Sequence, residues 1–246
     1  MIHSYIAADI ETTGLNVKKE KIIEIGALLV EEGEVREEFH TLIHPHREIS
    51  EKTVQLTGIT NSMVEDAPGI EEVIGKVTEF CRDLPLLGHQ IFFDYCFLKR
   101  AAVNNGYRWE KEGIDTLKLC RIFMPPEEKK DLSHACQFFC LDRGICHRAL
   151  PDAYAAHHLY QALMKTYGRG NEEQFQTRKF IYRIKKEQPA SKRQKERLQE
   201  LLKYHKIEAS VQIEHLTRNE ASRMTDEIML NYGRIGSRGE KKECIL

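Results

Sequence analysis

The sequence contains no long apolar run. None approaches the ~20 residues a membrane-spanning helix needs, and the start, MIHSYIAADIE, meets acidic residues at once without the apolar stretch of a secretory leader. Aromatic residues make up only 8% of the 246, with a single tryptophan, and there is no internal repeat. The seven cysteines are odd in number and scattered, unlike the framework of a small secreted domain, so reduced thiols in a cytoplasm are expected. Paired C-x-x-C knuckles are missing as well. His134, Cys136, Cys140, Cys146 and His147 therefore make a poor zinc site, and thiols buried on an apolar face are the expected reading. What is present is a balance of 41% apolar and 30% charged residues, which suits a soluble globular protein with a core rather than a disordered chain.

Net charge is nearly absent too, at −1, but the average hides a split. Residues 1–168 carry 19 Lys/Arg and 26 Asp/Glu, and residues 169–246 carry 18 and 12. The stretch 176–206 alone holds 11 basic residues against 3 acidic ones. An acidic front and a basic rear suit a cation-holding part and a phosphate-holding part. A solvated, lysine-rich helix face accounts for the charge equally well.

Periodicity divides the chain further. Tyr5–Ile10 alternates as a strand does, Ile22–Val30 is an apolar strand, and Glu31-Glu32-Gly33-Glu34 turns into a strand over Val35–Ile43. Ser50 caps a short helix that stops at Gly58, and Ile70 to Leu84 has helical spacing. Leu86-Leu87 is a short strand, Phe97–Val103 a helix, and Ile114-Asp115-Thr116 leads into a helix ending near Phe123. Leu132–Leu141 and Ala149–Tyr167 are further helices. Early strands followed by strand–helix alternation predict an α/β fold, a mixed sheet flanked by helices. Residues 169–189 are polar and without clear period, a linker candidate. A small helical module follows over 190–232, its two helices opened by capping boxes at Ser191/Gln194 and Thr217/Glu220. Residues 233–246 read as a disordered tail.

Three clusters can carry chemistry. In Asp9-Ile10-Glu11 the two acids share one face of a strand while Ala8 and Ile10 face the core. Adjacent carboxylates repel, and a divalent cation is the simplest reason to keep them. In Gly88-His89-Gln90-Ile91-Phe92-Phe93-Asp94 a strand ends on glycine and an acid follows among aromatics. In His147-Arg148-Ala149-Leu150-Pro151-Asp152 a histidine precedes a helix whose first turn holds an acid. Each alone has a plain alternative: a solvated strand end, an ordinary helix cap, a first turn that favours Pro and Asp. Phe92 and Phe93 read as core, His40, His44 and His46 as solvated, and one of His157 and His158 as buried.

In order and spacing together, D-x-E-T-T-G-L, G-H-x-x-x-F-D and H-x-A-x-x-D-A resemble the exonuclease superfamily named for four acids and a histidine, the DEDDh or DnaQ-like family. That family includes the proofreading subunit of bacterial DNA polymerase III. The resemblance covers roughly residues 4–168; Leu56-Thr57-Gly58-Ile59-Thr60 and Asp115-Thr116 agree with it as well. His147 stands five residues before Asp152, which disfavours the variant with tyrosine in the third motif. Gln90 stands where many relatives carry Asn, and Thr57 where they often carry His.

The resemblance implies a ribonuclease-H-like fold over residues 1–168 and a metal-dependent 3′→5′ exonuclease that releases nucleoside monophosphates from single-stranded DNA in repair or proofreading. It implies two Mg²⁺ or Mn²⁺ ions held by Asp9, Glu11, Asp94 and Asp152, with His147 taking the proton from the attacking water. It also implies that Thr12, Leu15, Ile59 and His89 meet the substrate. The expected partners are a nucleic acid with a 3′ end and, through the family, a DNA polymerase or other replication or repair protein, with no membrane. An RNA-trimming exonuclease and an inactive nucleic-acid-binding scaffold are the alternatives. The C-terminal helices suit a grip on nucleic acid or docking onto a protein, and Phe175, Phe180, Tyr182 and Tyr204 among the basic residues of the rear part favour nucleic acid.

Overall fold

The first strand alternates between two cores. In β1 (Tyr5–Thr12), Ile6, Ala8 and Ile10 pack into one apolar cluster while Tyr5 and Ala7 pack into another on the opposite face. β2 (Ile22–Glu31) does the same, with Ile25, Ala27 and Leu29 on one side and Leu28 and Val30 on the other. The sheet is thus covered on both faces, and the acids at positions 9 and 11 share the face of Tyr5 and Ala7. A computed structural model shows this arrangement; it describes residues 1–142, 144 and 147–235.

β2 turns into β3 (Glu34–Leu42) through Glu32 and Gly33, whose φ values of 52° and 84° are those of a two-residue hairpin turn with both residues left-handed. Three helices follow: α1 (Glu51–Thr57), α2 (Asn61–Val64) and α3 (Ile70–Phe80). Ser50 caps α1 and Gly58, at φ 71°, ends it. β4 (Leu86–Gly88) lies parallel to β1 and leads into α4 (Phe92–Asn104). β5 (Glu112–Asp115) lies parallel to β4 and leads into α5 (Thr116–Phe123), α6 (Leu132–Phe138) and α7 (Ala149–Tyr167). β6 (Arg178–Lys179) closes the sheet antiparallel to β5, in the order β3-β2-β1-β4-β5-β6. α3 and α4 contribute to the core on one face, and α5, α6 and α7 to the core on the other.

The chain divides into two compact units, and the division differs from the one expected. Residues 169–185 are part of the first unit, not a linker. Phe175 is fully buried and stacks on Phe123 at 5.5 Å; Phe180 packs against Tyr95 at 5.0 Å. These anchors sit at irregular intervals in a polar stretch, so no period betrays them. The second unit comprises His46–Glu48 and the chain from Lys186. Within it, α8 (Lys192–His205) and α9 (Arg218–Tyr232) open with capping boxes at Ser191/Gln194 and Thr217/Glu220. Their apolar faces meet each other, Leu198, Leu201 and Leu202 packing with Ala221 and Ile228. Of the tail expected over 233–246, residues 236–246 lie outside the described residues.

The boundary is open to test. A chain ending at Gly168 loses Phe175 and Phe180, each worth about 3–5 kcal/mol if deleted from a core, against a total stability of about 5–15 kcal/mol. It is expected to melt non-cooperatively or far below a chain ending at Lys185, as followed by far-UV circular dichroism. Equal melting temperatures for the two would show that 169–185 is not part of the core.

Candidate active site

The end of β1, the start of α4 and the start of α7 enclose a cleft of about 230 Å³ lined by Asp9, Ile10, Glu11, Leu15, His89, Gln90, Phe93, Asp94, His147 and Asp152. All five residues expected to be catalytic are therefore in one place. Asp9 and Glu11 arrive there on the same face of β1, as strand alternation requires.

Asp94 lies within the first turn of α4 and is 4% exposed. It is not the helix cap; Ile91 holds that position, and the Asp94 Oδ1 instead accepts the N–H of Ile10 on β1 at 2.9 Å. Burial pushes its carboxyl up to about 8, with the negative charges of Glu11 and Asp115 adding to the rise and the N–H groups of its own residue and Ile10 opposing it. Its surroundings thus favour a proton on this enclosed carboxyl towards neutral pH. Asp115 is nearly buried itself and accepts the N–H groups of Gln90 at 2.9 Å and Leu117 at 3.0 Å, which fixes the loop ahead of α4.

Asp152 is 5% exposed in the first turn of α7. One ligand atom each from Glu11, His147 and Asp152 lies within 4.8 Å of the other two. His147 is exposed, and its φ of 58° places a non-glycine residue in left-handed backbone just before the helix. The start of α7 sits unusually close to the sheet: a Cβ at Gly26 would come within 2.2 Å of the Leu150 nitrogen. Gly26 is the register partner of Asp9. Beside it, Glu24 is fully buried and pairs in register with Glu11. Its carboxylate accepts from Arg148 Nε at 3.0 Å and from a terminal guanidinium nitrogen at 2.6 Å, from the Ala149 N–H at 2.9 Å and from His40 Nε2 at 2.7 Å. Burial drives Glu24 towards its neutral form, but these donors outweigh it and hold the carboxyl below its ordinary value.

The four expected substrate contacts fare differently. Leu15 is 85% exposed on the cleft rim. His89 lines the cleft, but both ring nitrogens are engaged, Nδ1 with the Thr116 hydroxyl at 3.0 Å and Nε2 with the Lys130 carbonyl at 2.8 Å. A carbonyl only accepts, so Nε2 carries the proton; His89 latches the wall and offers a ligand its carbon edge. Thr12 is outside the cleft lining, its hydroxyl donating to the Gly14 carbonyl at 2.8 Å. Ile59 is a correction: it is fully buried with Ile23, Ile49 and Val64, because the loop after α1 turns this side chain inward. Phe93, expected in the core, lines the cleft, and Phe92 is 38% exposed. His40, expected to be solvated, is bonded to Glu24. Cys136 is buried, Cys140 is exposed, Cys146 lies outside the described residues, and among the described residues no cysteine joins a metal-holding group.

A family described as Exonuclease matches residues 6–160. The DNA polymerase III subunit epsilon of Aquifex aeolicus is 35% identical over 151 residues, 61% of this chain and 75% of the relative. The PolC-type DNA polymerase III of Thermotoga maritima is 38% identical over 151 residues, 61% of this chain but 11% of the polymerase. The chain thus spans about a tenth of the length of that polymerase. Among solved structures, exonuclease X in complex with 5′ overhanging duplex DNA shares 28% identity and a TM-score of 0.54, over 70% of this chain and 96% of that one. E. coli exonuclease I in complex with a dT13 oligonucleotide gives a TM-score of 0.61 at 17% identity, over 70% and 43%, a likeness of fold alone.

The raised Asp94 carboxyl has a consequence for stability. The folded chain binds this proton more tightly than the unfolded chain does, so stability declines as pH rises through the window between about 4 and 8. An Asn at 94 does not titrate. In EDTA, Asp94→Asn is expected to melt above the wild type by a margin that grows from pH 5 to pH 8, of order a few kcal/mol at the top of the window. A margin independent of pH in thermal melts would show that Asp94 is not the buried proton carrier.

Proposed function

The chain belongs to a family of exonucleases, and from that premise we propose that it hydrolyses phosphodiester bonds one at a time from the 3′ end of a nucleic acid, single-stranded DNA first, releasing nucleoside monophosphates. The observation that carries this reading is the convergence of Asp9, Glu11, Asp94, Asp152 and His147 on one cleft. DNA is favoured over RNA because the epsilon relative is a DNA polymerase III subunit and exonuclease X is in complex with DNA. A role beside a polymerase, in proofreading or repair, follows the same relatives.

The residues fit a pair of hard divalent cations. The acids offer only oxygen donors, Glu11 and Asp152 already reach a common centre with His147, and the enclosed Asp94 stands in a place where a bound cation would favour its charged form. Mg²⁺ or Mn²⁺ held by Asp9, Glu11, Asp94 and Asp152 supplies charge neutralisation to the entering and leaving oxygens. His147, two residues ahead of α7, takes the proton of the attacking water on its imidazole, a role typically worth about 10²–10⁴-fold. Leu15 on the rim and Phe93 in the wall supply apolar surface for the terminal nucleotide. In the second unit the apolar faces of α8 and α9 cover each other, which leaves Lys192, Arg193, Arg197, Lys203 and Lys206 exposed for phosphates.

Asp152→Ala is expected to abolish cleavage of end-labelled single-stranded DNA in Mg²⁺ or Mn²⁺ while the protein stays folded, since one acid fewer relieves repulsion in the cation-free cleft. Wild-type turnover by this variant, or by the wild type in EDTA, defeats the reading. Duplex DNA and RNA digested in parallel settle the substrate.

His147→Ala is expected to slow single-turnover cleavage by about 10²-fold or more and leave cation-dependent substrate binding intact. Loss of cation affinity with an unchanged pH–rate profile would make the histidine a ligand instead.

A chain ending at Lys185 is expected to cleave short oligonucleotides normally but bind long single strands more weakly. Its salt dependence should be shallower by about 0.7 for each phosphate that the shortened protein no longer neutralises. An unchanged salt slope assigns α8 and α9 to a protein partner.

A further inference from the structure

We infer that Glu24, which lies outside the cleft lining, is a positioning residue for His147 and Asp152, acting through Arg148 and the first turn of α7; the inference rests on the proposed roles of those two residues. A fully buried carboxylate near the start of an apolar strand is costly, and a well-packed apolar residue in such a place is often as stable or more so. Stability therefore does not account for Glu24. Its geometry does.

Arg148 occupies the N-cap position of α7 and makes no side-chain cap bond. The cap is supplied from the sheet: the Glu24 Oε2 accepts the Ala149 N–H at 2.9 Å and so places a negative charge at a helix N-terminus, where the helix dipole favours it. The guanidinium of Arg148 closes on the same carboxylate through two of its nitrogens, at 3.0 and 2.6 Å. A planar fork on a planar carboxylate fixes orientation as well as distance. His40 on β3 meets the carboxylate as well, at 2.7 Å on the oxygen that the guanidinium holds at 2.6 Å.

The anchor also sits at the right register. Glu24 is opposite Glu11 and Gly26 is opposite Asp9, so α7 is tied down and admitted closely at the two points that face the acids of β1. Arg148 feels Glu11 too, since the charges of Glu24 and Glu11 both raise its affinity for its proton. His147 precedes the locked residue directly, and its left-handed backbone is a conformation that persists only when its surroundings over-determine it. Released from Glu24, Arg148 no longer fixes the peptide that aims His147, and the first turn carrying Asp152 loses its cap.

The test compares full-length Glu24→Gln, Arg148→Lys, Arg148→Gln and the double Gln variant with the wild type on an end-labelled dT oligonucleotide in Mg²⁺. Rates are expressed per folded molecule from circular dichroism. Positioning predicts that kcat falls about 10- to 100-fold in Glu24→Gln and Arg148→Gln while KM stays within about twofold. Arg148→Lys, which keeps the charge without the fork, should recover part of the loss, and the double variant should be no slower than the slower single. Wild-type kcat per folded molecule in both single Gln variants, whatever their melting temperatures, overturns the inference. If Glu24→Gln does not fold, the two Arg148 variants decide by the same criterion. His147→Ala runs alongside. If it cleaves like the wild type, the assignment of the site has failed; if it is inactive while Glu24→Gln is fully active, the positioning role alone has failed.

Discussion

Four acids from three separate segments line one cleft, and the framework of the first unit is organised around bringing them together. Two come from one strand, where alternation delivers them to the same side without further help. The other two come from the first turns of helices on separate segments, Asp94 on α4 and Asp152 on α7. Neither can be held by its own local sequence. Asp94 is held by a backbone N–H of the strand that carries Asp9 and Glu11. Asp152 is held by a helix start pressed onto the neighbouring strand, where a glycine makes room and a buried glutamate supplies the anchor.

Much of this was legible in the residues. The two acids of β1 follow from period two, the ends of α1 from Ser50 and Gly58, and the capping boxes of α8 and α9 from their spacing. The three ordered motifs, far apart in sequence, pointed to residues that line one cleft. What sequence does not carry is reciprocity between distant side chains. Glu24 in an apolar run looks like a blemish until Arg148, 124 positions away, is seen on it. Ile59 follows a motif glycine and was expected at the substrate, yet which way an apolar side chain turns is decided by Ile23, Ile49 and Val64 around it. Residues 169–185 lacked a period because single aromatics, not a repeating face, fasten them.

The two units rely on different physics. The first buries apolar strands on both faces and spends part of its stability on enclosed charge. The second is small, with one cluster between two capped helices, and its one buried charged residue, among the described residues, is Glu220 of the α9 capping box. A unit of that kind can change its surface freely, because its core uses only one face of each helix. The cleft face of the first unit has no such latitude: Glu11 and Asp9 are paired across β1 and β2 with Glu24 and Gly26, which are themselves committed to α7.

α7 is also a lever. Its N-terminal end carries Asp152, and at its C-terminal end Tyr167 stacks on Phe123 at 4.9 Å, which in turn stacks on Phe175 at 5.5 Å. From Asp152 to Tyr167 a straight helix spans about 22 Å. A tilt of roughly 2–3° about the aromatic end swings the acid by about 1 Å, a displacement of the size that can cost about 10²-fold in rate. Three stacked rings at one end of the helix therefore bear, with the Glu24 anchor at the other, on where Asp152 stands in the cleft.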